Sequence, residues 1–405
     1  MATRRLYYDD SFLQNFSARV LSCAPAEPFP SPFGTRPAWE VVLDRSAFYP
    51  SSGGQPNDLG KLGEARVLDV RDDGEEIAHI VDQEIASDTV EGYIHWPRRF
   101  DHMQQHTGQH LLSAMFHERF GLRTVSFHLG GDICTIDVRG SEPSLDVLRG
   151  AQRAANAIVF EDRPVNVRYG TADELAEQGV RKEVERQGIL RAIEIQRADL
   201  QPCGGTHVKS TGQIGLVLVR RCTKVRQDWR VEFACGERAE GIATADFQLL
   251  RAIGEQLSCS PEEAPAAIEK ASEERDAHFK GLRTALQRLA EARAKLMIAA
   301  TAPAGNGVRC VATLLREENP EMLLPLATEL AKNERTIALL IYEPTGQLVF
   351  AQSPAAGVDL GAALKRVLAT IPGKGGGTHD FVRAKLLDPS QSRAALEMAM
   401  QLAAG

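Results

Sequence analysis

The chain has 405 residues, 43% hydrophobic and 25% charged, with a net charge of −7, which is the balance of a water-soluble protein with more length than one core fills. Its start, MATRRLYYDDSF, has no apolar signal core and no later apolar run approaches the roughly 18 residues of a membrane span, so neither insertion nor secretion is expected and the expected location is cytoplasmic. Seven scattered cysteines do not read as a disulfide framework, and the negative charge argues against indiscriminate adhesion to polyanions, so a nucleic acid would have to be met by local basic patches.

Residues 1–95 are expected to be β-rich. WEVVLDRSAFYP, EARVLDVRDDGEEIAHIVDQ and DTVEGYIHW carry alternating Val, Ile and Leu broken by Gly, Asp and Pro, as in a small β-barrel or a bent antiparallel sheet. Between the first two runs lies FYPSSGGQPNDLG, residues 48–60. One reading is a long hairpin loop. The other is a loop in which Gly53 and Gly54 let a ligand approach main-chain N–H groups while Gln55 presents an amide.

Residues 96–240 read as an α+β domain. A helix over 101–117 places Leu111, Leu112, Met115 and Phe116 beside its histidines, and a hairpin over 124–138 turns at Gly130 and Gly131. A helix follows over 144–161, then a strand, then a charged helix over 171–187. The strand AIEI leads into a CGGTH loop, and QIGLVLVRRC with DWRVEFACG forms another hairpin.

From 241 to 302 Gly and Pro are scarce, and a helical hairpin or coiled-coil arm is expected. Ser260 is read as the cap of its second helix, with a seam of Ile268, Ala271, Leu282, Ala285, Leu286, Leu289 and Leu296. Residues 303–405 alternate strands and helices as a small α/β domain, and PGKGGGTH at 372–379 reads as a loop without P-loop spacing. The fold class expected is therefore α+β multidomain.

Two segments carry paired metal-capable side chains: DHMQQHTGQHLL holds His106 and His110, and QPCGGTHV holds Cys203 and His207. Residues four apart on a helix share a face with Cβ atoms roughly 5–6 Å apart, so two imidazoles can share one ion. An isolated HxxxH is as well explained by packed or surface histidines; one thiolate with three imidazoles is a four-ligand set suited to Zn2+. A peptidase of the HExxH kind is not expected, because Thr107, Gly108 and Gln109 supply no acid. A structural and a catalytic zinc both remain open at this point. His102, Gln104, Gln105 and His128 are the nearby groups that could assist. Lys209, Arg220, Arg221, Lys224, Arg226 and Arg230, with Trp229, form either a phosphate track or a solvated face.

Taken in order, FYPSSGGQPNDLG, HTGQH, SFHLGGDICTIDV, CGGTH and RVEFACGERA resemble the editing module of alanyl-tRNA synthetase and its stand-alone relatives, the alanyl-tRNA editing proteins of the AlaX type. The resemblance runs from about residue 31 to 238, and the arm and tail from 241 onward resemble the C-terminal, DHH-associated region of alanyl-tRNA synthetase. With no aminoacylation core ahead of residue 31, the free-standing longer form is expected. The resemblance implies zinc-dependent hydrolysis, by water, of the ester of mischarged tRNA specific for alanine, chiefly seryl-tRNA with glycyl-tRNA second, as a remedy for a pocket that discriminates poorly between small side chains. It implies zinc on His106, His110, Cys203 and His207, substrate contacts from Ser51, Gly53, Gly54 and Arg226, and positioning of adenosine or water by Gln55 and His128. TRNA is the implied partner, and the arm or C-terminal domain is expected to support a homodimer. The chain departs from the family pattern at Phe127-His128, where a glutamine is usual, at Ser51 and Ser52, and at Arg383, Ala384 and Lys385, where the tail pattern ends in Gly-Gly. Rival expectations are editing of the threonyl-tRNA type and a zinc-stabilised tRNA-binding protein without catalysis.

Overall fold

Six strands near the N-terminus close on themselves in a computed structural model of the chain, in the order Asn15–Ser31, Gly34–Leu43, Ile77–Val81, Ala65–Asp72, Gly60–Leu62 and Thr89–Ile94. The structure describes residues 2–31, 34–181 and 188–404. The strands alternate as the sequence pattern requires: in Thr89–Ile94 every second residue is buried, and Phe16, Val41, Leu43, Phe48, Val67, Val70, Ile77 and Val81 fill the interior.

A 25-residue helix, Trp96–Phe120, follows at once. It starts with Pro97 in its first turn and ends at Gly121, whose φ of +65° is the left-handed cap that glycine adopts most readily. Every residue from His102 to Phe116 is buried, so the helix is enclosed on all sides. Around it lie an antiparallel sheet in the order Val217–Val225, Asp228–Cys235, Cys134–Arg139, Arg123–Leu129, the helix Leu145–Phe160 capped by Ser144, and a three-stranded sheet of Val165–Gly170, Leu190–Ile195 and Asp199–Pro202. The charged helix expected over 171–187 is shorter, Ala172–Glu177, with a Thr171–Glu174 capping box; 182–187 lie outside the described residues.

The chain divides into two compact units, Met1–Ala252 and Ile253–Gly405. In the second, the long helix Ala264–Ala300 begins one turn after the expected cap: Glu263 is the cap residue, and Ser260 instead donates its N–H to the Glu263 carboxylate at 3.0 Å. Its buried stripe is Leu286, Ala290 and Ala294, packed with Leu323, Leu326 and Ala327, whereas Ile268, Leu282, Leu289 and Leu296 of the expected seam are exposed. A five-stranded sheet follows in the order Arg309–Leu315, Thr336–Tyr342, Gln347–Gln352, Phe381–Leu386, Gly373–Gly377, parallel only at its first pair. The glycine run expected as a loop is thus an edge strand. A Cβ on Gly375 would lie 2.2 Å from that of Ala384, so glycine there permits the strand to approach. No described helix is long and apolar enough to cross a membrane.

Candidate metal centre

A helix buried on every side and carrying His102, Gln104, Gln105, His106, Thr107, Gln109 and His110 has to find partners for most of these groups, because an unpaired buried polar atom is costly. The partners build the site. Gln104 donates to Gln213 O at 3.0 Å, and Gln105 forms a two-way clamp with the Cys235 backbone, accepting from N at 2.8 Å and donating to O at 2.9 Å. These bonds pin the helix to the strand of the RVEFACGERA motif. Arg238, further along that motif, makes an ion pair with Asp101 and donates to Gly130 O at 2.6 Å.

His106 and His110 project one turn apart, and the loop after Asp199–Pro202 brings Cys203 and His207 against them. The four ligand atoms lie within 4.8 Å of one another and could hold a metal ion. Cys203 Sγ is 3.5 Å from His106 Nε2 and 3.3 Å from His207 Nε2. Each imidazole is oriented by its other nitrogen. His106 Nδ1 is 2.8 Å from Gln55 Oε1, an atom that also accepts from Thr206 N at 3.2 Å. His110 Nδ1 is 3.2 Å from the Asp199 carboxylate, which Arg181 holds at 2.7 Å. His207 Nδ1 is 3.1 Å from Thr107 Oγ1, whose own proton goes to Met103 O at 2.8 Å. All three partners accept, so all three Nδ1 atoms carry the proton and the Nε2 lone pairs are left for an ion.

The electrostatics agree with this donor set. Burial opposes ionisation of the Cys203 thiol, yet the neighbouring imidazoles of His106, His207 and His110 outweigh it and hold the thiol well below its ordinary range. Burial, followed by charge on His106, pushes His207 down to about 3. At His110 burial is overcome by the hydrogen bonds to Asp199 and Cys203, and the ring is raised to about 9, so a cation takes its Nε2 only by displacing a second proton.

Gln55 is 1% exposed. Its amide, expected to face a ligand, is spent inside the protein, with Oε1 on His106 and Nε2 donating to Thr206 Oγ1 at 2.8 Å. His128 does not reach the cluster. Side chains alternate along the strand Arg123–Leu129, and Phe127 takes the inward position, its ring 5.6 Å from that of His106, which leaves His128 exposed on the other face. Ser51, Gly53 and Gly54 are exposed on the loop preceding Gln55; both glycines have positive φ, and a Cβ on Gly54 would lie 2.9 Å from the Phe127 ring. Arg226 is exposed at a hairpin tip with φ +56°. The expected phosphate track is largely neutralised, because Arg220, Arg221 and Arg230 pair with Asp246, Glu232 and Asp137 and Lys224 lies over the Trp229 ring. His102, buried and outside the four-residue cluster, is pushed by burial and then by Arg98 to about 3.

Sequence reasoning missed the groups behind the four clustered side chains: Asp199, Arg181, Thr107 and Thr206. It also missed a fully buried ion pair of Arg99 on the helix with Asp58, which accepts from Tyr49 N at 2.6 Å and so ties the base of the glycine loop to the helix. A carboxylate four residues ahead of Cys203 was the one available signal.

Residues 190–230 match the model of the threonyl and alanyl tRNA synthetase second additional domain. The chain is 32% identical to alanyl-tRNA editing protein AlaX-L of Pyrococcus horikoshii over 94% of both chains, and 28% identical to alanyl-tRNA editing protein Aarsd1 of Rattus norvegicus over 97% of this chain and 96% of that one. It is also 30% identical to alanine–tRNA ligase of Pyrococcus abyssi, over 99% of this chain but 44% of the ligase.

Proposed function

The chain belongs to the alanyl-tRNA editing protein family, and we propose that it hydrolyses the aminoacyl ester of mischarged tRNA(Ala), seryl-tRNA first, with a zinc ion held by His106, His110, Cys203 and His207. The observation that carries this reading is the ligand cluster with its three oriented imidazoles. The Sγ to Nε2 separations of 3.3 and 3.5 Å support zinc, since thiolate and imidazole donors on a tetrahedral zinc are about 3.5 Å apart. When bound, the ion would supply Lewis acidity toward the ester or a hold on the substrate's amino or hydroxyl group.

The chain's own residues do the rest. Gln55, Asp199 and Thr107 keep a proton on each Nδ1, so that no imidazole turns its protonated nitrogen inward. The exposed loop of Ser51, Gly53 and Gly54, resting on Phe127 and anchored through Asp58 to Arg99, offers main-chain groups to the substrate on the side of Gln55. His128 is given no part in positioning water. The apolar residues Ile268, Phe279, Leu282, Leu289 and Leu296, exposed along the arm, support pairing of two copies there, which sedimentation equilibrium of the full chain tests. Deacylation of seryl-, glycyl- and alanyl-tRNA(Ala) by the zinc-loaded chain tests the function: acceleration on the first with alanyl-tRNA spared is the expected outcome, and no acceleration on any of the three refutes it.

A further inference from the structure

His106, His110 and His207 are buried, whereas Cys203 is only half-buried and Gly204 beyond it is exposed. The cluster is therefore open along its Cys203–Gly204 edge, and two side chains stand there. Tyr8 Oη lies 3.4 Å from where a Cβ on Gly204 would be, and the Tyr8 ring is braced edge-on by Tyr7 at 4.8 Å. Arg191 donates from one terminal nitrogen to Cys203 O at 2.7 Å and Gly205 O at 3.0 Å, and its guanidinium carbon is 5.3 Å from the centre of the Tyr8 ring. Its Nε and other terminal nitrogen are buried and have no hydrogen-bond partner. Arg5 also approaches the Tyr8 ring, at 5.8 Å, but is committed to Asp72 through two bonds of 2.7 Å. Among the described residues, Arg191 is thus the cation on this edge with unpartnered donors.

We propose that Tyr8 and Arg191 form the subsite for the 3′-terminal nucleotide of the acylated RNA, the base stacking on the tyrosine–guanidinium platform and the Arg191 side chain turning its unpartnered N–H groups out to take an oxygen of that nucleotide. The inference rests on the ester-hydrolase reading above. The ester is carried on the terminal ribose, so the terminal base has to lie within one nucleotide of the metal cluster, and the cluster is least covered along its Cys203–Gly204 edge. Aromatic rings and guanidinium planes both stack nucleobases. Buried donors without partners cost free energy that an arriving oxygen atom recovers. Gly204 leaves the ground beside Tyr8 Oη open, where a side chain would fill it.

Binding of the fluorescently labelled trinucleotide CCA to the zinc-loaded full chain tests the proposal. Tyr8→Ala and Arg191→Gln should each weaken binding about tenfold, the scale of one lost stacked base; Tyr8→Phe should recover most of that loss, and CCA lacking its 3′ base should bind the wild type as weakly as CCA binds Tyr8→Ala. The cobalt(II) absorption spectrum of Arg191→Gln should match that of the wild type; a shifted spectrum with unchanged CCA affinity would mean that Arg191 merely shapes the Cys203 loop, and overturns its role. Unchanged affinity in Tyr8→Ala, equal binding of the abasic trinucleotide, or no measurable binding of CCA by the wild type overturns the subsite. Because binding is read without turnover, a chain that hydrolyses acyl-tRNA but ignores these substitutions loses the subsite alone, and one that binds CCA as expected but hydrolyses nothing loses the hydrolase reading alone.

Discussion

Gln55 shows what a buried amide does when its acceptor oxygen serves a histidine of the candidate metal cluster. Its Oε1 fixes the proton of His106 on Nδ1, so Gln55→Ala should lower metal affinity by about 10–100-fold, the usual cost of removing such a partner, measured by chelator competition. His128→Ala should leave that affinity within about twofold, since a surface histidine on the far face of its strand has no hold on the cluster; a large loss there would contradict the placement. His79 makes a pH prediction. Enclosed in the barrel between Ser46 Oγ at 2.7 Å and Val41 O at 3.0 Å, it is held neutral, burial pushing it from 6.5 to about 4. Its folded value is depressed, so the unfolded chain binds the proton first; stability is whole above pH 6.5 and falls as the pH drops toward 4, by about 2 kcal/mol at pH 5 from this residue. Chemical unfolding from pH 7 to 5 should show a steeper loss in the wild type than in His79→Gln, and equal slopes would contradict it. The four clustered residues were legible in the sequence because the spacing within each pair is a local signal; Asp199, Thr107 and Arg181 were not, because their meaning exists only once distant strands meet the helix.

Among the secondary-structure elements, the helix Trp96–Phe120 organises the first unit, and its tie to the glycine loop is the buried Arg99–Asp58 pair. Asp58→Ala leaves Arg99 buried without its countercharge and should cost about 3–5 kcal/mol in denaturant unfolding; a loss below 1 kcal/mol would show that water reaches the pair. Periodicity located most helices and strands to within a few residues. It misread the glycine run at Gly373–Gly377, because an edge strand made of glycine has neither side-chain alternation nor β-branched residues to announce it. Gly375→Val should destabilise the second unit by about 1–3 kcal/mol through overpacking on Ala384 while leaving metal content unchanged, as thermal unfolding and metal analysis would report. The arm's seam was legible as apolar spacing, but spacing does not say which stripe meets the chain's own sheet, and the structure gives that place to Leu286, Ala290 and Ala294.

Over the whole molecule, the ordered motifs of the first unit and the arm and tail of the second follow the alanyl-tRNA editing relatives along nearly the full chain. Under the proposed function, hydrolysis of mischarged tRNA(Ala) requires a zinc ion on the His106, His110, Cys203 and His207 cluster. The most direct measurement is the single-turnover deacylation rate of seryl-tRNA(Ala) with wild type and Cys203→Ala at matched folded fraction, each assayed for bound zinc. The expected result is one zinc per wild-type chain with rapid deacylation, and a variant that has lost both the metal and at least about 100-fold in rate. A Cys203→Ala chain that deacylates as fast as the wild type, or a zinc-loaded wild type no faster than buffer, would contradict it.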